Sequence, residues 1–267
     1  MLERRTSPRG VVTYISPLLQ QANVRHAFST RIGGLSSAPF DSLNLGNPNG
    51  CDIQDPTERV RANYILLQQA AGCAGVERAY LHQVHGAVAW TLTPGSTHNN
   101  DAKGDVLVSI DPNRVVSIRI ADCVPVLLAS RDGRAVAAVH AGWRGVVAGA
   151  ALVGLQKLFE LHGASPTDVL VAIGPSIGFD AFEVGPEVLQ EFTKAFERDA
   201  PIRRRIDGKG HVDLREALRR QFIQAGVDES RIDSTDRCTH THADEFFSHR
   251  RDNGVTGRMA AIIAANA

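Results

Sequence analysis

The feature that most constrains the fold is a series of short apolar runs, rich in β-branched residues, in the middle of the chain. Such runs predict buried β-strands, because branched side chains pack well on a pleated surface. The predicted strands are residues 24–30, 79–81, 88–90, 105–108, 115–120, 124–128, 136–139, 169–173 and 259–264. The chain is therefore expected to be built around a β-sheet.

Helical patterns alternate with these strands. One helix is predicted at 57–71, where Thr57 is a candidate N-cap and Gly72 follows the last apolar position. The run 146–161 consists mainly of Ala, Val, Leu and Gly and predicts a buried helix. Further helices are predicted at 186–196, with Pro at its start, and at 213–225, with Asp213 as its cap.

Strands and helices interleave irregularly, which predicts an α/β or α+β fold with a mixed β-sheet and flanking helices. We expect one layered domain over residues 1–267, with the first ten residues loosely ordered. Residues 31–50, which are rich in Gly, Ser, Asn and Pro, are expected to form a long structured loop.

Composition narrows the classes of function. Lys+Arg and Asp+Glu both number 29, so no excess of positive charge indicates a nucleic-acid partner. No apolar run approaches the roughly eighteen residues that a membrane span needs, and the N-terminus shows no signal-peptide core. A cytoplasmic location without membrane partners is therefore expected, and the four widely spaced cysteines are expected to form no disulfides in a reducing cytosol.

Three stretches in the middle of the chain offer side chains that could bind a metal ion. His85 lies in Gln-Val-His-Gly, Cys123 follows a predicted strand, and His140 ends another one, with His82 as a second imidazole near His85. Two imidazoles and one thiolate suit zinc, and three ligands leave the fourth tetrahedral position open. Taken singly, each His could equally be a hydrogen-bonded scaffold residue and the Cys a core residue, so spacing leaves both interpretations open.

The order of the motifs along nearly the whole chain resembles the YfiH/YlmD family, which is also called the laccase-domain, multicopper polyphenol oxidase or peptidoglycan-editing-factor family. The segments that carry the resemblance are residues 28–36, 39–46, 83–86, 121–128, 140–145, 173–178, 183–185, 246–252 and 256–258. The resemblance implies the family's layered α/β fold and a zinc ion held by His85, Cys123 and His140. It thereby selects His85 over His82.

Family members are described as purine nucleoside enzymes, which deaminate adenosine and phosphorolyse adenosine, inosine, guanosine or methylthioadenosine. Others are described as oxidising phenols with copper or as editing peptidoglycan precursors. The resemblance therefore implies small-molecule partners, a purine nucleoside and phosphate.

Zinc in such a site lowers the pKa of bound water to roughly 7. The hydroxide that forms is suited to attack C6 of adenine. The His-x-Glu motif of nucleobase deaminases is missing, and Asp122 is the nearest acidic candidate for proton transfer. Phosphorolysis needs a phosphate clamp, for which arginine is well suited. The candidates are Arg31, Arg144, Arg250 and Arg251.

Of these arginines, Arg144 is the one most expected to face the site, because it lies four residues after His140. Asn44 is a candidate to hydrogen-bond the sugar or base. For each of these residues, a hydrogen bond that merely pins a loop is an equal alternative.

Four other interpretations were open. Cys123 beside a His could be a nucleophile that cleaves an amide of a peptidoglycan precursor. Copper could replace zinc, because copper binds such ligands more tightly. Cys238, His240 and His242 could bind a second metal, although a surface variation is preferred. A non-catalytic zinc scaffold is disfavoured by the open position. The favoured prediction is a zinc-dependent purine nucleoside enzyme.

Overall fold

The computed structural model describes residues 1–48, 50–163 and 165–267, which contain fifteen strands and six α-helices. The strands are β1 (Glu3–Thr6), β2 (Val12–Ile15), β3 (Arg25–Ser29), β4 (Glu77–Tyr80), β5 (Ala89–Leu92), β6 (Val106–Ser109), β7 (Arg114–Ile120), β8 (Val124–Ser130), β9 (Val136–Ala141), β10 (Val169–Ile173), β11 (Glu183–Val184), β12 (Ile202–Arg204), β13 (Gly210–Val212), β14 (Ile232–Asp233) and β15 (Met259–Ala264). The helices are α1 (Pro17–Gln21), α2 (Thr57–Ala70), α3 (Trp143–Val147), α4 (Ala150–His162), α5 (Pro186–Phe196) and α6 (Leu214–Gln224).

The strands form two six-stranded sheets and one three-stranded sheet. The first sheet has the order β1-β2-β3-β15-β7-β4, the second β14-β10-β8-β9-β6-β5, and the third β11-β13-β12. Most neighbours are antiparallel, whereas the pairs β4–β7, β5–β6 and β10–β14 are parallel. The predicted α/β class with mixed pairing is confirmed, with three sheets in place of one.

The alternation of side chains along the strands builds four layers. On β6, Val106 belongs to the core that the second sheet shares with α4, α5 and α6, while Leu107 points to the opposite side and belongs to the core shared with the first sheet. On β15, Ile263 faces the second sheet and Ile262 packs with Leu67 of α2. The order is therefore helix, sheet, sheet, helices, and the two large sheets share a buried core.

Two predictions about helices are wrong. Residues 146–161 do not form one helix, because Gly149 adopts a left-handed conformation with φ of 74° and separates α3 from α4. The N-cap of α2 is Pro56, not Thr57, and it makes no side-chain capping bond. The cap of α6 is confirmed, since the carboxylate of Asp213 accepts a hydrogen bond from the Glu216 amide at 3.0 Å.

The N-terminus differs from the expected loose start. Strand β1 pairs with β2 in register from Glu3–Ile15 to Thr6–Val12, although all four of its side chains are exposed. The described part of 31–50 contains neither helix nor strand, as predicted, and Asn49 lies outside the described residues. Across the described ranges, every helix is too short or too polar to cross a membrane.

Candidate metal centre

Two loops and the end of one central strand bring the predicted ligands together. Cys123 lies in the turn between β7 and β8, and His140 lies near the end of β9, where it pairs with Pro125 of β8. His85 lies in the loop between β4 and β5. One nitrogen or sulfur atom from each of His85, Cys123 and His140 lies within 4.8 Å of the other two. These three residues are called the His-Cys-His cluster below.

A buried carboxylate holds two members of the cluster. Asp105 Oδ1 accepts a hydrogen bond from Nδ1 of His140 at 2.7 Å and from the amide of His85 at 3.0 Å. Asp105 Oδ2 accepts from the amide of Gly86 at 2.7 Å. Since Asp105 is fully buried, these bonds fix both the loop and the ring, and they leave Nε2 of His140 free to face the cluster.

The turn that carries Cys123 is held from the other side. Asp122 has φ of 90°, a left-handed conformation that is uncommon for residues other than glycine. Its Oδ1 accepts from the hydroxyl of Thr239 at 2.6 Å, and its Oδ2 accepts from the amide of Arg250 at 2.7 Å. Asp122 therefore ties the ligand turn to the segment that precedes β15.

Glycine at position 142 leaves room for the cluster. A Cβ atom on Gly142 would lie 3.0 Å from Sγ of Cys123 and 3.0 Å from Cδ2 of His85. Such contacts are tighter than ordinary van der Waals distances, so a larger residue would push the two ligands apart. The Ala-Gly-Trp-Arg segment after His140 thus has a steric reason for its glycine.

The electrostatics of the cluster favour the metal-binding thiolate of Cys123, whereas a metal ion that binds here would displace a proton from His140. Burial alone would raise the pKa of the Cys123 thiol, but the charge of His140 and hydrogen bonds from both histidines lower it to about 6. Burial lowers the pKa of His140, but the Cys123 thiolate and the Asp105 carboxylate raise it more. A thiolate and two imidazoles, one of them oriented by a carboxylate, fit a borderline metal ion such as zinc.

The cluster forms part of the wall of a cavity of about 510 Å³. The polar residues of that wall are predominantly basic: His82, His85, His140, His249, Arg119, Arg144, Arg250 and Arg258. Asp122 is the acidic residue of this lining among the residues described, and both of its oxygens accept hydrogen bonds. The cavity is therefore suited to a small ligand that carries negative charge.

Of the predicted substrate-binding residues, Arg144 and Arg250 line the cavity. The guanidinium of Arg144 lies 4.4 Å from the centre of the Trp143 ring, and that of Arg250 donates to the carbonyl of Glu183 at 2.8 Å. Both side chains are at the cavity wall and exposed to solvent.

Arg31, Asn44 and Arg251 lie outside the cavity lining and pin loops. Arg31 donates to Asp41 at 3.1 Å. Arg251 forms an ion pair with Asp252 at 2.8 Å. Asn44 is fully buried, and its Oδ1 accepts hydrogen bonds from backbone amides, so it is not available to a sugar or base.

The proposed second metal cluster is not formed within the described residues, since the one group of clustered ligands there is the His-Cys-His cluster. Cys238 is buried and accepts a hydrogen bond from the amide of Gly178 at 3.1 Å. His242 accepts from the amide of Cys238 at 3.2 Å. These residues shape a turn.

Asp105, Arg119 and Arg258 were missed by the sequence interpretation. Asp105 was assigned to a strand, although it lies just before β6. A Gly-Asp pair immediately before an apolar strand is the one local signal for it. The two arginines carry no local signal, because residues 119 and 258 meet only through the pairing of β7 with β15.

Comparison with known proteins places this fold and site in a family. A family model described as "Multi-copper polyphenol oxidoreductase laccase" matches residues 25–266. The chain belongs to this family. Two relatives are the "Purine nucleoside phosphorylase YfiH" of Escherichia coli K12 and the "Purine nucleoside phosphorylase" of Deinococcus radiodurans, both 38% identical. The first match covers 91% of this chain and 95% of the relative, and the second covers 92% of each.

Solved structures of family members share the fold over nearly the whole chain. YlmD from Geobacillus stearothermophilus is 31% identical with a TM-score of 0.88, and the match covers 99% of both chains. YfiH from Bacillus licheniformis is 26% identical with a TM-score of 0.86, over 98% of this chain and 99% of that one. The predicted resemblance to YfiH and YlmD is therefore confirmed.

Proposed function

We propose that this protein is a zinc-dependent purine nucleoside phosphorylase that also deaminates adenosine. The observation that carries the proposal is that the His-Cys-His cluster and four arginines line the same cavity. The names of the relatives support the phosphorylase part. Zinc is inferred from the ligand set of the cluster, whereas deamination and the nucleosides are taken from the resemblance to the YfiH/YlmD family.

The residues that would hold the metal are His85, Cys123 and His140, and they fit zinc because they offer two imidazoles and a thiolate of lowered pKa. When bound, zinc supplies a Lewis acid with one open coordination position. Asp105 would keep His140 oriented through the hydrogen bond to Nδ1.

In phosphorolysis, an oxygen of hydrogen phosphate forms a bond to C1′ of the ribose while the C1′–N9 bond breaks. The proton of the hydrogen phosphate is transferred to the departing purine, so the products are the free base and ribose 1-phosphate. Arg144 and Arg250, which are exposed at the cavity wall, would attract the phosphate into the cavity by their positive charge. Asp122 has both oxygens engaged, so we assign it the positioning of Arg250 and the Cys123 turn.

Deamination of adenosine adds water at C6 and releases ammonia, giving inosine. The same cavity would serve both reactions, because it contains both the His-Cys-His cluster and the arginines. The chain offers no second acidic residue in the described lining, so proton transfers would depend on the histidines of the wall, His82 and His249.

A second candidate is oxidation of phenols by a copper-loaded form of the same site. The description of the family model favours it, and copper binds imidazole and thiolate ligands more tightly than zinc does. It would use the same three ligands, so the two candidates differ in the metal and in the substrate.

We also propose that residues 1–267 form one domain. Strand β15, near the C-terminus, lies between β3 and β7 in the first sheet, so both ends of the chain contribute to one core.

The test is to incubate protein of known metal content with adenosine or inosine, with and without phosphate, and to separate the products by chromatography. We expect free base that depends on phosphate, and inosine from adenosine without it. Cys123→Ala should lose both activities, while Cys51→Ala, outside the cavity lining, should retain them. If wild type forms neither inosine nor free base, or Cys123→Ala matches wild type, the proposal is wrong. Turnover of phenols by the copper form alone would favour the second candidate.

A further inference from the structure

We propose that Arg119 and Arg258 form a phosphate-binding subsite in the wall of the cavity that contains the His-Cys-His cluster. The inference rests on the proposed phosphorylase function and names the site of its second substrate. Arg119 lies on β7, four residues before Cys123, and Arg258 lies directly before β15. Since Ala260 pairs with Arg119, the two arginines enter the cavity from neighbouring strands.

The two side chains lie together above a glycine. A Cβ atom on Gly46 would lie 2.9 Å from Cδ of Arg119 and 3.5 Å from Cβ of Arg258. Asn44 Oδ1 accepts hydrogen bonds from the amides of Gly46 at 3.1 Å and of Arg258 at 2.9 Å. The buried Asn44 therefore fixes the backbone of Gly46, which lies beneath the two arginines, and the backbone of Arg258. Asn44 is thus a positioning residue for the subsite.

The pair lacks the acidic partners that compensate Arg114. Arg114, on the same strand as Arg119, has Asp111 within 3.6 Å and Glu77 within 3.4 Å. For Arg119 and Arg258, no carboxylate lies within 4.0 Å in the part of the chain that the structure describes. Arg258 instead donates to the backbone carbonyls of Thr256 and Gly257, which are neutral.

The positive charges of Arg119 and Arg258 repel each other across this partly buried wall. Burial lowers the pKa of Arg258, and the positive charge of Arg119 lowers it further, while Cys123 and Asp122 act in the opposite direction. An anion between the two arginines would remove this repulsion. Arg258 lines the same cavity as the His-Cys-His cluster.

Phosphate is the anion that fits best. A guanidinium presents paired N–H donors in a fixed plane, which match two oxygens of a tetrahedral phosphate. Two guanidinium groups balance the charge of a dianion. The same chemistry would bind inorganic phosphate or the phosphate ester of a nucleotide, so the experiment must compare both.

The experiment uses metal-loaded wild type, Arg119→Gln and Arg258→Gln. Binding of inorganic phosphate is measured by calorimetry without nucleoside, and the KM for phosphate is measured with saturating inosine. Loss of a charged hydrogen bond of this kind weakens binding by about 10- to 100-fold. We therefore expect the dissociation constant and the KM for phosphate to rise by that factor in both arginine variants. The KM for inosine and the metal content should stay close to wild type. Arg203→Gln, which removes an exposed charge outside the cavity, is the matched control.

A second variant keeps both charges. Gly46→Ala would push the side chain of Arg119 aside without a backbone penalty, because its φ is not in the left-handed region. We expect weaker phosphate binding at an unchanged melting temperature. This variant tests the subsite even if an arginine variant does not fold.

Unchanged phosphate binding in folded Arg119→Gln, Arg258→Gln and Gly46→Ala would overturn the subsite. If that result accompanies normal phosphorolysis, the proposed function stands and only the subsite is wrong. If wild type shows no turnover yet binds phosphate through these residues, the subsite stands and the function is wrong. A parallel titration with adenosine 5′-monophosphate identifies the source: binding tighter than that of phosphate, lost in the same variants, assigns the subsite to a nucleotide ester.

Discussion

The two sides of the cavity, the His-Cys-His cluster and the Arg119–Arg258 pair, balance their charges in different ways. In the cluster, the Cys123 thiolate and the Asp105 carboxylate are matched by imidazoles within 4.8 Å and by backbone amides. In the arginine pair, two positive charges lie together and the acceptors of Arg258 are neutral carbonyls. The cluster is arranged by the protein itself, whereas the pair is completed by a ligand.

The largest effect is expected when the carboxylate that orders the cluster is removed. Asp105→Asn keeps the shape of the side chain but turns one acceptor toward the amides into a donor. Loss of a carboxylate that orients a metal-binding histidine lowers metal affinity by about 10- to 100-fold. Unsatisfied buried amides should lower the free energy of unfolding by about 2–4 kcal/mol. Metal competition assays and urea unfolding measure the two effects.

Asp111→Asn is the matched control for Asp105→Asn. Asp111 is also buried and accepts a hydrogen bond from a backbone amide, Asn113, but it lies outside the cavity lining. The Asp111→Asn variant should be less stable than wild type but should bind the metal with wild-type affinity. Equal metal affinity in Asp105→Asn and wild type would show that Asp105 does not order the cluster.

The next effect is the pH dependence of Cys123 in metal-free protein. Its pKa is lowered to about 6, against about 8.5 for a free thiol, so the thiolate is present above pH 6 and is lost as the pH falls through that value. Alkylation by iodoacetamide should reach half of its maximal rate near pH 6. Cys51 provides an internal comparison, because it lies outside the cavity lining. A midpoint above pH 8 for Cys123 would contradict the described contacts with the histidines.

A smaller effect is expected from crowding the cluster. Gly142→Ala places a methyl group 3.0 Å from Sγ of Cys123 and should lower metal affinity by about tenfold, since a displaced ligand loses about 1.4 kcal/mol or more. Gly86→Ala is the control, because its Cβ would meet no atom closer than 3.7 Å. If metal titration gives the same affinity for both variants, close packing at Gly142 has no role.

The smallest effect is expected from Asn44→Ala, which tests whether the arginine pair can be disturbed without disturbing the His-Cys-His cluster. Asn44→Ala removes the acceptor that positions Gly46 and Arg258 and leaves buried amides unpaired, at a cost of about 1–3 kcal/mol in the free energy of unfolding. Phosphate binding should weaken while metal content stays at the wild-type level. Loss of metal in this variant, measured by mass spectrometry, would mean that the two sides are not independent.

Much of the fold could be predicted because local patterns determine it. The strand 169–173 and the helix 186–196 have the predicted bounds, since their apolar periodicity is strong and turn residues flank them. Strand β1 was missed because its four residues are polar and exposed, and only its pairing with β2 makes it a strand. The break at Gly149 depends on a single left-handed residue within an apolar run.

The site could be predicted only where a residue lies at the end of a strand. His140 and Cys123 were found in this way, whereas one loop offered both His82 and His85 and the family resemblance selected His85. Arg258 is far from Arg119 in the sequence and reaches the cavity through the pairing of β15 with β7. No local pattern records that long-range contact, and Asn44 was assigned to a substrate because its burial is equally invisible in the sequence.

The most direct test of the central claim is a crystal structure of the metal-loaded protein soaked with inosine and phosphate, with anomalous diffraction at the zinc edge. The account predicts one anomalous peak among His85, Cys123 and His140, and a phosphate bound by Arg119 and Arg258 in the same cavity. An anomalous peak elsewhere, or nucleoside and phosphate bound outside this cavity, would contradict it.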